Sequence, residues 1–236
     1  MPVPVPPETM LAVAGLSELV YAGSSAEEVL KALVTVAVEV IPGCDHASIS
    51  TLTAPRTLTT RAANDDVASL MDDLETQAGE GPCLDSILGD SFQRDEDIAS
   101  RSTWPRLAEL TLAQTPVRGM VGYRLVAEGG PPSALNVFAD EPGALTDAAA
   151  DMGAVLAGFT SVALAAVEQR QVTENLRRGL RSNREIGKAI GLLMAAHLVT
   201  DDEAFALLRQ ASSRTNTRLA VLAERITASH DPRRAD

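Results

Sequence analysis

Arg177, Arg181, Arg184 and Lys188 follow one another at steps of four, three and four residues. On a helix this spacing lines up four cations along one face, with Arg178 at its flank and Glu185 the one close counter-charge. Farther on, Arg209, Arg214 and Arg218 are interleaved with Ser212, Ser213, Thr215, Asn216 and Thr217. Guanidinium and ammonium groups take phosphate oxygens, while hydroxyls and amides reach 2′-hydroxyls and the edges of splayed bases. The chemistry indicated is recognition of a nucleic acid. Its candidate residues are Arg177, Arg181, Arg184, Lys188, Arg209, Ser212, Arg214, Asn216, Thr217 and Arg218. Phe205 is the single aromatic residue after Phe159, and its spacing with Leu208 and Ala211 assigns it to a core. An RNA site here would rely on guanidinium planes and hydrogen bonds more than on rings. Composition alone leaves open the plainer reading, a solvated helical surface.

The distribution of charge supports the first reading. The chain carries a formal net charge of -12, yet residues 1–169 hold 8 Lys+Arg against 24 Asp+Glu, whereas residues 170–236 hold 12 against 8. The first part is therefore strongly acidic, at -16, and the second basic, at +4. A local basic face attracts phosphate whatever the distant net charge.

Catalytic chemistry finds little support. His46, His197 and His230 lie in unrelated contexts, and no nucleophile-base motif is visible. The two cysteines, Cys44 and Cys83, lack C-x-x-C spacing, so no metal site and no disulfide framework is expected. Gly79-Glu80-Gly81-Pro82 has neither phosphate-loop nor dinucleotide-loop spacing and reads as a turn. The acidic clusters Asp65-Asp66, Asp72-Asp73 and Asp95-Glu96-Asp97 read as solvated faces. The expectation is a non-enzyme without a cofactor.

The elements that must position these residues fall into two regions. After an extended tail over residues 1–7, helical spacing runs from Glu8 to Tyr21 and again from Ser25, where Ser25 and Glu28 form a capping box, to the stop at Pro42-Gly43. His46 to Thr53 alternates with period two, and Thr57 to Ala62 is rich in β-branched residues, so two strands turn at Ala54-Pro55-Arg56. Asp65 to Gln77 is an amphipathic helix with its acidic residues outward. Met120 to Glu128 and Ala134 to Ala139 form a hairpin through Gly129-Gly130-Pro131-Pro132. This order predicts an α+β domain with a mainly antiparallel sheet.

From Thr146 to His197 one long helix is expected. Val155, Phe159, Val162, Ala166, Gln169, Thr173, Leu176, Leu180, Asn183, Gly187, Ile190 and Met194 form a heptad-like stripe along it. Two readings fit: a parallel coiled coil between two copies, or a long helix packed within its own chain. Thr200 and Glu203 form a second capping box, and a last helix carries Leu219, Leu222, Ala223 and Ile226, capped by Thr215 or Asn216. Three helices in so few residues bury little area, which favours the homodimer.

Leu180 to Met194, Asp202 to Ser212 and Asn216 to Ala223 together resemble the ANTAR domain of transcription antitermination regulators, across most of residues 172–230. The matching positions are Arg184, Lys188, Ala189, Gly191, Met194, Ala204, Phe205, Leu208, Arg209, Ser212, Asn216, Leu219 and Ala223. The resemblance implies an all-α three-helix domain, usually dimeric, that recognises paired RNA hairpins in a leader transcript and prevents a terminator from forming. Asn183 stands where a serine often precedes the arginine, and Ala195-Ala196 replaces a charged pair common in the family.

Gly79 to Asp85, Trp104-Pro105 and Ala134 to Ala139 resemble GAF domains coupled to ANTAR domains in actinobacterial regulators. This implies a sensor of a small molecule or redox state with a pocket on one sheet face, for which Cys83, Trp104 and Tyr123 are the candidates. Cys83 is equally readable as a buried structural thiol, and Trp104 and Tyr123 as core. The expected division is a GAF-like sensor over residues 8–165, a coiled-coil linker and ANTAR domain over 166–232, and a short tail over 233–236. The chain reads as a cytoplasmic, ligand-responsive antitermination regulator with no signal peptide, no membrane-length apolar run and no membrane partner. The alternative is a GAF sensor whose helical output docks on a partner protein.

Overall fold

A computed structural model describes residues 7–89, 91–126 and 130–230, and the chain separates into two compact units, Met1–Gln169 and Arg170–Asp236. The expected tails therefore lie outside the described residues, except that Pro7 already belongs to the first helix.

The first unit is built on a five-stranded antiparallel sheet of order β2-β1-β5-β4-β3. Helices α1 (Pro7–Ala22) and α2 (Ala26–Val40) precede β1 (His46–Ala54) and β2 (Thr57–Ala63). The Ser25–Glu28 capping box starts α2, and Gly43, at φ +75 with no room for a Cβ against Ala144, turns the chain into β1. Helix α3 (Asp66–Ala78) begins at the Asp65 cap and ends at Gly79 in the left-handed region. The expected turn then opens directly into α4 (Pro82–Leu88). Edge strand β3 (Phe92–Asp95) follows, too short for its period to show in sequence. After α5 (Ile98–Arg101) and α6 (Pro105–Gln114) come β4 (Gly119–Leu125) and β5 (Ser133–Ala139). The strand expected to reach Glu128 ends at Leu125, and Ala127, Glu128 and Gly129 lie outside the described residues.

Both sheet faces are covered. Ala47, Ile49, Val121, Tyr123, Leu135 and Val137 face α1, α2 and the start of α7 (Asp147–His197), which contributes Leu156, Ala157, Ala163, Leu164 and Val167. On the opposite face Met120 and Phe138 meet α3, α6 and Trp104, while Leu58 and Ala134 meet Cys83, Leu84 and Ile87 of α4. Burial on two sides explains why β5 is apolar almost throughout and why β1 does not alternate between core and solvent.

No membrane-length run was expected, and here the structure differs. Helix α7 holds an 18-residue window of mean hydropathy 1.7, of which 39% is buried. Part of its apolarity has a local cause, because Leu156, Leu164 and Val167 cover the sheet.

The second unit comprises the C-terminal part of α7, α8 (Asp201–Thr215) and α9 (Leu219–Ser229). Its core joins Ala189, Leu208 and Ala223, with Ile186, Ile190, Leu193, Leu219, Leu222 and Ile226 around them. The Thr200–Glu203 capping box starts α8 as expected. The cap expected for α9 is not found: Asn216 instead closes α8 in the left-handed region at φ 48, and α9 begins at Arg218 without a side-chain cap.

Candidate nucleic-acid interface

In the second unit the side chains of α7 divide by angle, at roughly 100° per residue. Ile186, Ala189 and Leu193 turn to the core. Arg177, Arg181, Arg184 and Lys188 project on the side away from it, all exposed. Leu176 and Leu180, each 63% exposed, form a third stripe between the two. Lys188 pairs with Glu185 at 2.6 Å, and Glu185 also accepts the Thr227 hydroxyl of α9 at 3.1 Å. The Lys188 hydrogen bond, then Thr227, hold the Glu185 carboxyl below its ordinary range. Among the described residues Arg177, Arg181 and Arg184 make no ion pair. The line of cations is thus set by the core contacts on the opposite side of the helix, and its positive charge is barely neutralised locally.

The second group of candidates behaves unevenly. Arg209, Arg214, Asn216 and Arg218 are exposed. Ser212 and Thr217 are half-buried and bind each other: Ser212 Oγ donates to the Thr217 carbonyl at 2.6 Å, and the Thr217 N–H donates to the Ser212 carbonyl at 3.1 Å. These two shape the α8–α9 turn, and Asn216 supplies its left-handed residue, so the three present Arg214 and Arg218 on either side. Phe205, expected in the core, is 40% exposed, because Ala204 and Leu208 fill the space behind α8.

In the first unit Cys83, Trp104 and Tyr123 are all buried but sit in three different clusters. Trp104 Nε1 donates to Asp85 at 2.8 Å, and Glu80 accepts the Arg106 N–H at 2.7 Å, at the start of α6. The Gly79-to-Asp85 segment and the Trp104-Pro105 pair are thereby fastened together. Tyr123 donates to the Ala150 carbonyl at 3.0 Å. Burial pushes the Cys83 thiol well up, which disfavours the reactive thiolate. Cys44 is likewise pushed up to about 12, chiefly by burial.

Asp72 and Glu75, expected on a solvated acidic face, are instead buried. Asp72 is 1% exposed and accepts hydrogen bonds from Ser48 (3.0 Å), Ser50 (2.5 Å), Thr60 (2.6 Å) and Asn136 (3.2 Å), spanning β1, β2 and β5. Glu75, equally buried, accepts the Leu84 N–H at 2.8 Å. Burial raises the Asp72 carboxyl to about 6 and Glu75 well above its usual range. Asn136 Oδ1 has no hydrogen-bond partner among the described residues. The sequence held a signal for this: Asp72 and Glu75 fall on the same helical stripe as Ala68, Met71 and Ala78, opposite serines at alternate positions of β1.

Against known families, residues 174–226 match the model of the ANTAR domain. The C-terminal unit contains an ANTAR domain. No curated protein matches the chain. The phycoerythrobilin-bound GAF domain from a cyanobacterial phytochrome superposes with a TM-score of 0.55 at 13% identity, over 69% of this chain and 97% of that one. The GAF domain of a phosphoenolpyruvate-protein phosphotransferase from Coxiella burnetii gives 0.52 at 15%, over 70% and 96%. The corresponding Acinetobacter domain gives 0.52 at 13%, over 70% and 96%. These likenesses give the N-terminal unit a GAF-like fold. ANTAR domains are RNA-binding modules of antitermination regulators, and the chain joins one to a unit of GAF-like fold.

Proposed function

We propose that this protein is a cytoplasmic, ligand-responsive antitermination regulator that binds paired RNA hairpins as a homodimer. The observation that carries the reading is the exposed cation face of the ANTAR domain, Arg177, Arg181, Arg184 and Lys188, set opposite its core. Such a face reads phosphates and so positions RNA without specifying its sequence. Dimerisation is supported by the stripe beside it, where Leu176 and Leu180 stand exposed at coiled-coil spacing. Two copies then offer two cation faces, matching two hairpin loops. Ligand responsiveness is supported by the GAF-like fold of the first unit and by the buried polar cluster of Asp72, Glu75 and Asn136 on one face of its sheet. A ligand that prefers one of two dimer geometries shifts the population of RNA-competent dimers by its differential affinity. The direct test is filter binding of tandem-hairpin RNA across a salt series. Arg184→Glu with Lys188→Glu should weaken binding and flatten the dependence of log K on log salt. Unchanged affinity and slope would refute the reading.

A further inference from the structure

Arginines and lysines that touch phosphates bring RNA to a surface, and discrimination between sequences needs groups that meet base edges. The cation face of α7 presents only cations, which take phosphates first. The outer face of α8 adds an exposed amide, Gln210, to its arginines. Two adjoining open hollows lie along it, one of about 720 Å³ lined by Val199, Glu203, Ala206, Leu207, Arg209, Gln210 and Ser213. The other, of about 430 Å³, is lined by Leu207, Gln210, Ala211, Arg214 and Thr215. Leu207 and Gln210 are common to both, and one unpaired arginine stands at each.

We propose that this face of α8 is the base-reading site of the ANTAR domain, seating two unstacked nucleotides of an RNA loop on either side of Leu207 and Gln210. The inference rests on the RNA-binding reading given above. Leu207, 40% exposed, gives each base an apolar wall. Gln210 is exposed and its amide makes no hydrogen bond among the described residues, so its donor and its acceptor are both free for a base edge. The side chains of Arg209, Ser213 and Arg214 are also without hydrogen-bond or ion-pair partners among the described residues. Five residues of helix separate the two arginines by about 7.5 Å along the axis and roughly 140° around it, so they flank the Leu207–Gln210 ridge on its two sides. Glu203, held at one end by the N–H and hydroxyl of Thr200 at 2.9 and 3.0 Å, repels phosphate and accepts from an exocyclic amine. Charge also selects RNA over a second copy of the chain. In a two-fold contact through this face each copy would bring Arg209 and Arg214 towards the other's.

The test uses the full-length protein. A pool of tandem hairpins with randomised loops is selected for binding, and the enriched RNA is compared with the same RNA carrying scrambled loops, for wild type and for Gln210→Ala and Leu207→Ser. Both residues are exposed, and circular dichroism verifies folding. The expected result is a loss of about tenfold or more in discrimination between enriched and scrambled loops, with the salt slope unchanged. Full discrimination by both variants, with wild-type binding still steep in salt, overturns the base-reading site and leaves the RNA reading standing. Absence of salt-dependent binding by the wild type overturns both. A change of Leu207→Ser from dimer to monomer in sedimentation assigns the face to a second copy and also overturns the proposal.

Discussion

The Trp104 indole N–H points at Asp85 from 2.8 Å away, inside a region where the ring itself is 3% exposed. Trp104 precedes α6 and Asp85 lies in α4, so a single charge-assisted hydrogen bond ties together two short helices on the same sheet face. Removing the acceptor leaves a buried donor without a partner, which costs about 1–3 kcal/mol. Asp85→Ala should therefore lower the urea midpoint of the first unit by a corresponding amount, whereas Asp85→Asn, which keeps an oxygen acceptor, should lower it less. Trp104 is the only tryptophan in the chain, so its emission follows this transition alone. Equal midpoints for wild type and Asp85→Ala would show that the bond adds nothing to stability.

Asp72 supplies a pH-dependent term of unusual sign for an aspartate. Burial raises its folded pKa from 3.8 to about 6, against hydrogen bonds from Ser50, Thr60, Ser48 and Asn136 that lower it. The folded state consequently holds the proton more tightly than the unfolded chain. The resulting stabilisation is complete below the unfolded pKa and is lost as pH rises through the folded value. A shift of about two units corresponds to about 3 kcal/mol. Wild-type stability should fall relative to Asp72→Asn between about pH 4 and pH 7, read from urea midpoints at each pH. The comparison isolates Asp72 from carboxyls of opposite sign such as Asp65, whose pKa is lowered by the Ala68 N–H and by His46 despite its burial. Parallel pH profiles for the two proteins would count against the assignment.

Leu198 closes α7 in the left-handed region, at φ 57, and is 92% exposed. A Cβ in that region costs roughly 1–2 kcal/mol, and glycine, the usual residue there, returns part of this through the greater freedom it loses on folding. Leu198→Gly should stabilise the ANTAR domain by about 0.5–1 kcal/mol. Slower amide hydrogen exchange in α8 would register the gain. Faster exchange would mean that the exposed leucine makes a stabilising contact of its own.

Much of this architecture was legible in the sequence because local signals and tertiary demands agree. The two capping boxes, Ser25 with Glu28 and Thr200 with Glu203, set helix starts that nothing else contests. The four cations of α7 could be placed on one face by spacing alone. Legibility failed where burial overrode polarity. Asp72 and Glu75 look like surface residues until the hydroxyls of β1 and β2 and the N–H groups of α4 are brought to them by the sheet, a relation between distant segments that no local window contains. Strand β3, of four residues, is fixed by its pairing with β4 and has too few positions to display a period. Phe205 follows the spacing of a core residue, yet a three-helix domain closes around Ala189, Leu208 and Ala223 with no space left for a ring.

The coiled-coil stripe yields the last prediction. Leu176 and Leu180 belong to the ANTAR-domain part of α7 and are exposed. Val155 and Val162, at the same heptad spacing, are 68% and 70% exposed within the first unit. Neither set contributes to the core of its own unit. Apolar side chains repeated at this interval along a helix of 51 residues leave a seam that a second helix of the same kind would cover. Each leucine so buried contributes about 1.5–3 kcal/mol to association. Placing a charge at two neighbouring seam positions should then abolish the dimer without unfolding either unit, since neither Leu176 nor Leu180 belongs to a core. Leu176→Asp with Leu180→Asp should sediment as a monomer with unchanged helical circular dichroism, and should bind tandem hairpins no more tightly than the wild type binds single ones. A variant that remains dimeric would place the self-association surface elsewhere, and a wild type that is monomeric at micromolar concentration would remove the need for one.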